Sequence, residues 1–518
     1  MYTILYFLDY GKLFGGAVNT LLQQAILMKT AGNKVIILFS DYLGININNV
    51  YEEIYSKYDI KIEYATYQIA SQPEDIDVIC LEENYEKMRE KIKRWSPNLM
   101  HSVQINPIAE LIGRDLQIPH IMSIYPLHPD FFSIPYADIF SHYHICDSWY
   151  WAKRWNQYLH TDFTCVRTVV LKPKANSACR DLLGRKVKYI CVGGFGAGKN
   201  QLGVIKAFHS ALKKGIAGEL AIYGYDANEY AKKCKCYIEN SSLAEDIKIN
   251  GFCPHMNHVY KESDVLICGS IRESYPNVIS EAMAYGLTVI STPVAGVPEV
   301  IKDGINGYLA KDFTSEALVD KILEFQNDVG KEKLKRIKKN ALETFEWSHT
   351  PEMVTGKLLE YYQHVLQKGV SGKVFGINEL REMFLPWKEI FYQNYHCFSE
   401  PQKVASKIWY LFHIKDRIES VQRQKADFFI WGTGKYGIIV KEIIEIFFPE
   451  IQISGYIDSK KTGFFEEYRI YVPEEILQRK ESVIFLAAVN GQDEMIEKLN
   501  EKKKTFNKDY FILSARKW

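Results

Sequence analysis

Charge of one sign is missing from this sequence. Its 64 Lys and Arg stand against 63 Asp and Glu, a formal net charge of +1. Without a basic excess, no bulk electrostatic argument leads to nucleic acid. Metal-type cysteine spacing is missing too. The ten cysteines include no C-x-x-C pair, and Cys234 and Cys236, one residue apart, have no histidine beside them. That argues against a zinc site and a disulfide framework and fits free thiols in a reducing compartment. No apolar run reaches the roughly twenty residues that a membrane-spanning helix needs. The apolar start within Met1–Asp9 is too short for a leader, lacks a basic beginning and reads as a first strand. A cytoplasmic location is expected, with peripheral contact at the inner face of a membrane left open.

What is present is bulk and alternation. With 518 residues, 47% apolar and 25% charged, the chain has the profile of a globular protein with three or so domains. Short apolar runs alternate with longer amphipathic segments. Strands are expected at Tyr2–Leu8, Lys34–Phe39, Asp77–Leu81, Leu99–Val103 and His120–Tyr125, with helices at Gly15–Ala31 and Tyr85–Trp95. A second series runs Tyr189–Val192, Leu220–Tyr223, Ile247–Asn250, Val265–Cys268, Thr288–Ser291 and Gly307–Leu309. Alternation of this kind predicts an α/β protein with parallel, doubly wound sheets, and two such units in tandem suggest a ligand-binding cleft between them. The expected division is 1–170, 186–345, a helical closing segment and connector over 346–425, and a third αβ unit over 426–518.

The densest chemistry lies between Ser263 and Ala310. Here Arg272-Glu273-Ser-Tyr275-Pro276-Asn277-Val278-Ile-Ser-Glu281-Ala-Met-Ala-Tyr-Gly286 is followed by Gly296-Val-Pro-Glu299. A strand ends in a loop carrying Glu273, and Pro276 suits a helix start because its missing N–H costs nothing there. The unpaired amides of that start make an anion site. Glu281, eight residues after Glu273, lies about one and a half turns into the helix. Paired carboxylates grip vicinal hydroxyls well. Two glutamates at this spacing alone would ordinarily be solvated surface; the full phrase is what carries weight.

That phrase resembles the E-x7-E signature of retaining GT-B glycosyltransferases of family four, as do Glu-Ala-Met-Ala-x-Gly and Gly-x-Pro-Glu around it. The resemblance implies two Rossmann-like domains facing across a cleft, here with a third small Rossmann-like domain appended. It implies that Glu273 contacts a donor sugar, that Glu281 holds the nucleotide ribose, and that backbone amides from Tyr275 through Pro276 and Asn277 to Val278 meet sugar and phosphates. In Gly193-Gly194-Phe-Gly196-Ala-Gly198-Lys199-Asn200, Lys199 matches the family lysine that neutralises the donor diphosphate, while Gly194 occupies the place of an arginine. The same run nearly fits a P-loop, but Asn200 stands where the magnesium-binding hydroxyl should be. The turn Gly15-Gly16 after the first strand matches the family's Gly-Gly turn, which faces the diphosphate. Where the family often has a catalytic histidine, this chain has Tyr125; His128 is the expected substitute and His101 a second candidate, each as readily structural as catalytic.

Three further features are weighed against blander readings. Trp151 and Trp155 share a helix face behind a Ser148 cap, and burial against the sheet is favoured over stacking on a sugar or a membrane. Lys87, Arg89, Lys91, Lys93 and Arg94 are diluted by Glu86 and Glu90, so a solvated face is favoured over lipid binding. Gly432-Thr-Gly434-Lys-Tyr-Gly437, followed by a strand ending at Asp458, is a dinucleotide fingerprint in its proper context. It makes the C-terminal unit a candidate module for NAD or a sugar nucleotide.

The expected function is a glycosyltransferase moving a sugar from a UDP- or GDP-sugar to a glycan or lipid-linked glycan in surface polysaccharide assembly. The family generally needs no metal or cofactor, and none is expected for transfer. The alternatives are a nucleotide-binding scaffold with a decayed transferase site, motivated by Gly194 and Tyr125, and a bifunctional protein with an NAD-linked C-terminal domain.

Overall fold

The computed structural model describes residues 1–8, 16–42, 57–70, 73–125, 141–170, 182–241, 243, 245–370, 376–424, 426–488, 492–506 and 508–513. Among these, the strands form three sheets. The first contains β1 (Thr3–Leu8), β2 (Lys34–Ser40), β3 (Lys61–Ala65), β4 (Leu99–Val103), β5 (His120–Ser123), β6 (Tyr143–Cys146) and β7 (Asp162–Cys165) in the order β3-β2-β1-β4-β5-β6-β7. The second contains β8 (Val187–Val192), β9 (Gly218–Tyr223), β10 (Ile247–Gly251), β11 (Val265–Cys268), β12 (Thr288–Ser291) and β13 (Tyr308–Leu309) in the order β10-β9-β8-β11-β12-β13. The third contains β14 (Asp427–Trp431), β15 (Ile453–Ile457), β16 (Gly463–Phe465), β17 (Tyr468–Tyr471), β18 (Ser482–Leu486) and β19 (Tyr510–Ile512) in the order β16-β17-β15-β14-β18-β19. The pairings in the first two sheets are parallel, and in the third only β16 with β17 is antiparallel.

Each sheet reverses its winding beside its first strand, between β1 and β4, β8 and β11, and β14 and β18. At such a switch point two adjacent loops run to opposite faces and leave a crevice beyond the strand ends. The strands that flank it are largely buried on both faces, which explains the apolar runs of β1 and β11. In β1, Leu5 and Phe7 join one core while Ile4, Tyr6 and Leu8 join another.

The expected strand Asp77–Leu81 is instead the start of a helix, Val78–Trp95. Asp77 accepts hydrogen bonds from the amides of Ile79 at 3.1 Å and Cys80 at 2.9 Å, a cap that turns the following apolar run into a first turn. The third position in the sheet goes to β3, an edge strand with half-exposed residues and no apolar run to announce it. The helix Pro351–Lys368 crosses back to the first unit: Val354, Leu358 and Tyr362 pack in the core that holds Ile4 and Tyr6. The connector helices Ile377–Gln393 and Ile408–Gln422 lie in one continuous core that runs from Phe7 through Phe384 and Ile414 to Ile430 and Ile443. Ion pairs Lys388–Glu82 and Lys407–Asp75 fasten them to the first unit.

Candidate active site

At the β8–β11 switch point the structure brings together the residues that the motif separates. Beyond β8 the chain turns at Gly193, whose φ of +150° suits only glycine, and Gly224 must also lack a side chain, since a Cβ there would lie 1.9 Å from the Gly193 carbonyl oxygen. Gln201 holds the loop from inside, donating to the carbonyls of Gly193 and Gly194 at 3.0 Å each and accepting from the Gly196 amide at 3.3 Å. Asn200, at φ +56°, donates to the Gly269 carbonyl at 3.1 Å, so the position a P-loop reserves for a metal-binding hydroxyl ties the β8 loop to the β11 loop.

The loop ends on Lys199, and its ammonium pairs with the Glu273 carboxylate from the loop after β11. Ser270 donates to the same carboxylate oxygen at 3.1 Å. Burial works against the Lys199 charge, but the Glu273 carboxylate outweighs it and the net shift is upward, so the lysine is a firm cation. Glu281 sits in the helix Asn277–Ala284, where the Tyr260 hydroxyl donates to it. Burial raises the Glu281 carboxyl above its ordinary range and the Tyr260 hydrogen bond opposes that shift. Pro276 is the residue just before the helix rather than its first turn, and no side chain caps the helix start. The Ile279 amide turns back to the Pro276 carbonyl at 3.0 Å, and among the described residues the Asn277 and Val278 amides are left for another partner.

Other expected residues fall less simply. The Tyr275 side chain is buried, stacked on His349 at 5.6 Å and accepting from Ser280 at 3.1 Å, so only its backbone is placed to face a ligand. Asn277 accepts from the Thr168 hydroxyl at 2.8 Å. Gly194 has open space where a Cβ would stand. Gly16 opens the helix that follows β1, while Gly15 and His128 lie outside the described residues. Tyr125 is buried, with Gln24 donating to its hydroxyl at 3.4 Å. His101 is a core histidine, held between Ser123 at 2.7 Å and Tyr362 at 2.5 Å and kept neutral by burial. Trp151 and Trp155 are buried, as the blander reading has it. An Asp-x-Asp triplet, Asp75-Ile-Asp77, is spent on structure: Asp77 caps a helix and Asp75 pairs with Lys407.

Sequence reasoning missed a set of contacts across the junction of the two units. Glu299, in the Gly-x-Pro-Glu phrase, accepts the amides of Trp149 at 3.0 Å and Tyr150 at 2.5 Å and pairs with Arg167. Ser274 donates to Asp147, and the indole N–H of Trp151 donates to the Glu273 carbonyl at 3.2 Å. Arg272 was also passed over. Its amide donates to the Gly198 carbonyl at 3.2 Å, and its exposed side chain starts against the Lys199 turn. Nothing in one sequence signals contacts that depend on docking residues more than a hundred positions apart.

In the C-terminal unit the fingerprint glycines are used as expected of a tight strand–helix turn. Gly432 has φ +130°, a Cβ on Gly437 would lie 2.2 Å from the Gly432 carbonyl oxygen, and Gly434 faces open space. Asp458 is already engaged: Thr433 donates to one oxygen at 2.6 Å, and the amides of Lys460 and Lys461 donate to the other at 2.8 and 3.1 Å.

Residues 180–344 match the family described as glycosyl transferases group 1. The amylovoran biosynthesis glycosyltransferase AmsK of Erwinia amylovora is 30% identical over 154 residues, 28% of this chain and 37% of its own. A putative colanic acid biosynthesis glycosyltransferase, WcaL of Salmonella typhimurium, is 29% identical over 129 residues, 23% of this chain and 31% of its own. The chain thus spans about a third of the length of these curated relatives. Among solved structures, a glycosyltransferase from Rickettsia africae aligns with a TM-score of 0.58 at 19% identity, covering 71% of this chain and 99% of its own. HepE of Anabaena, in complex with UDP, aligns at 0.57 and 17%, covering 70% and 100%. These likenesses establish the GT-B fold, with two Rossmann-like units, and the chain has a third sheet besides.

Proposed function

We propose that this chain is a glycosyltransferase that moves a sugar, with retention, from a UDP- or GDP-sugar to a glycan or lipid-linked glycan acceptor in the assembly of a surface polysaccharide. The observation that carries the reading is the meeting of Lys199 and Glu273 at the β8–β11 switch point, beside an uncapped helix start that leads to Glu281. The region matched to group 1 glycosyl transferases contains all three residues, and relatives named for amylovoran and colanic acid biosynthesis match part of the chain.

In this reading the diphosphate lies against the helix start and Lys199, Glu281 takes the ribose hydroxyls, and Glu273 takes the sugar. The bond between the anomeric carbon and the phosphate oxygen breaks as the acceptor oxygen bonds to that carbon from the same face. The departing phosphate takes the acceptor proton. Lys199 and the helix amides stabilise the charge that develops on the leaving group. The intact Lys199–Glu273 pair favours this over a scaffold with a decayed site. Replacing Glu281 with Ala should abolish donor use while leaving the fold unchanged; undiminished turnover of the nucleotide-sugar by that variant would remove the assignment. For the C-terminal unit, binding of NAD or a sugar nucleotide is the reading under test, and it requires a ribose to displace Thr433 from Asp458 or to share that carboxylate with it.

A further inference from the structure

The loop that bears Glu273 is gripped at three consecutive residues, each time by the first unit. The Glu273 carbonyl accepts the indole N–H of Trp151 at 3.2 Å. The Ser274 hydroxyl donates to the Asp147 carboxylate. The Tyr275 ring lies under the Arg167 guanidinium, 5.1 Å from its centroid. Trp151 is in the first turn of the helix Trp149–Leu159, and that helix start is itself seated on the second unit. Its first two amides donate to the Glu299 carboxylate, which places a negative charge where the helix dipole favours one. Arg167 completes the arrangement by pairing with Glu299 and donating to the Asp147 carbonyl at 2.6 Å. The fit is close: a Cβ on Gly296 would lie 2.5 Å from that of Ser148.

We propose that Trp151 and Glu299 are positioning residues, through which docking of the first unit sets the geometry of the Glu273 loop. Glu299 holds the helix and Trp151 carries that placement to the Glu273 peptide. The carboxylate that faces the sugar then has its working geometry only when the two units are seated together. This rests on the transferase reading above. Neither side chain need touch the substrate: Glu299 acts on the amides of the helix and on Arg167, and Trp151 on the carbonyl of Glu273.

The test uses the full chain and its Trp151→Phe and Glu299→Gln variants. Hydrolysis of UDP-glucose, UDP-galactose, UDP-N-acetylglucosamine and GDP-mannose is followed by nucleoside diphosphate release. For the donor that the wild type turns over, kcat should fall about 100-fold in Trp151→Phe, the scale of an ångström-sized misplacement, with donor KM nearly unchanged. Glu299→Gln keeps one acceptor for the helix amides and should lose less, again in kcat. Wild-type kcat in both variants would overturn the proposal. So would a loss that merely tracks the folded fraction measured by circular dichroism, since that is a structural role. A wild-type chain that binds and cleaves no donor would instead overturn the transferase reading, and this inference with it.

Discussion

A single ion pair bears most of the proposed chemistry. Lys199 is about two-fifths exposed while Glu273 is largely buried, so the pair adds little to stability, about 0–1 kcal/mol. Lys199→Ala should therefore leave the melting temperature almost unchanged. Its kcat should nevertheless fall about 100- to 1,000-fold, the scale of removing one preorganised charge partner from a developing anion. Steady-state rates beside a melting curve check this; a fall in both would make Lys199 structural. Gly194 offers the opposite experiment. No heavy atom lies within 4 Å of a Cβ placed there, and its φ is not positive. Gly194→Arg should fold as the wild type does and strengthen donor use about tenfold, the low end of a charge-assisted hydrogen bond at about 1.5 kcal/mol. If donor KM and kcat stay put, the diphosphate charge is already met. Arg272, which begins against the Lys199 turn and forms no ion pair among the described residues, is then the side chain to remove next. These residues were legible because their spacing is local. Lys199, Glu273 and Glu281 sit in phrases a few residues long, whereas Trp151, Arg167 and Glu299 acquire meaning only when two units dock.

At the scale of elements, strands were legible where apolar residues follow one another, as in β1, β11 and the Tyr189–Val192 stretch of β8. The half-exposed β3 and β7 lack such a run, and in the fully buried β6 His144 interrupts it. The apolar run after Asp77 was open to either reading, and the Asp77 cap decided for a helix. The junction between β6 and the Glu273 loop carries its own pH signature. Burial holds the Asp147 carboxyl up at about 7; the Glu273 carboxylate pushes the same way, while Ser274 and Arg167 oppose. A carboxyl whose pKa is higher folded than unfolded keeps its proton better in the native state. Its contribution to stability is therefore complete below about pH 4 and is lost as the pH rises toward 7, at no more than about 1.4 kcal/mol per pH unit. Above 7 the loss stops. Melting temperatures of the wild type should fall across this window, and those of Asp147→Asn should fall less. Equal slopes would mean that Asp147 is charged throughout.

For the whole molecule, the continuous core from Phe7 through the connector helices to Ile443 joins the C-terminal unit to the first unit. A fragment cut at residue 426 would expose Phe428, Ile430 and Ile443, all buried in that core, so ligands are best sought on the intact chain. A thermal-shift screen against UDP-, GDP-, ADP- and CMP-sugars, with NAD and ATP alongside, separates the two candidate sites. A ligand at a hundred times its dissociation constant adds about 2.7 kcal/mol of stability, which is readily seen. A nucleotide-sugar shift that disappears in Glu281→Ala belongs to the β8–β11 crevice and names the base. An NAD shift that persists in Glu281→Ala belongs to the C-terminal unit, and Gly434→Ala should erase it. The added methyl would meet no protein atom within 4 Å yet would stand where a phosphate must approach. Should that methyl leave the NAD shift intact, NAD is not held at the glycine turn, which is then a packing device. Should the sugar nucleotides all be silent, the Lys199–Glu273 pair is a structural ion pair and the transfer reading fails with it.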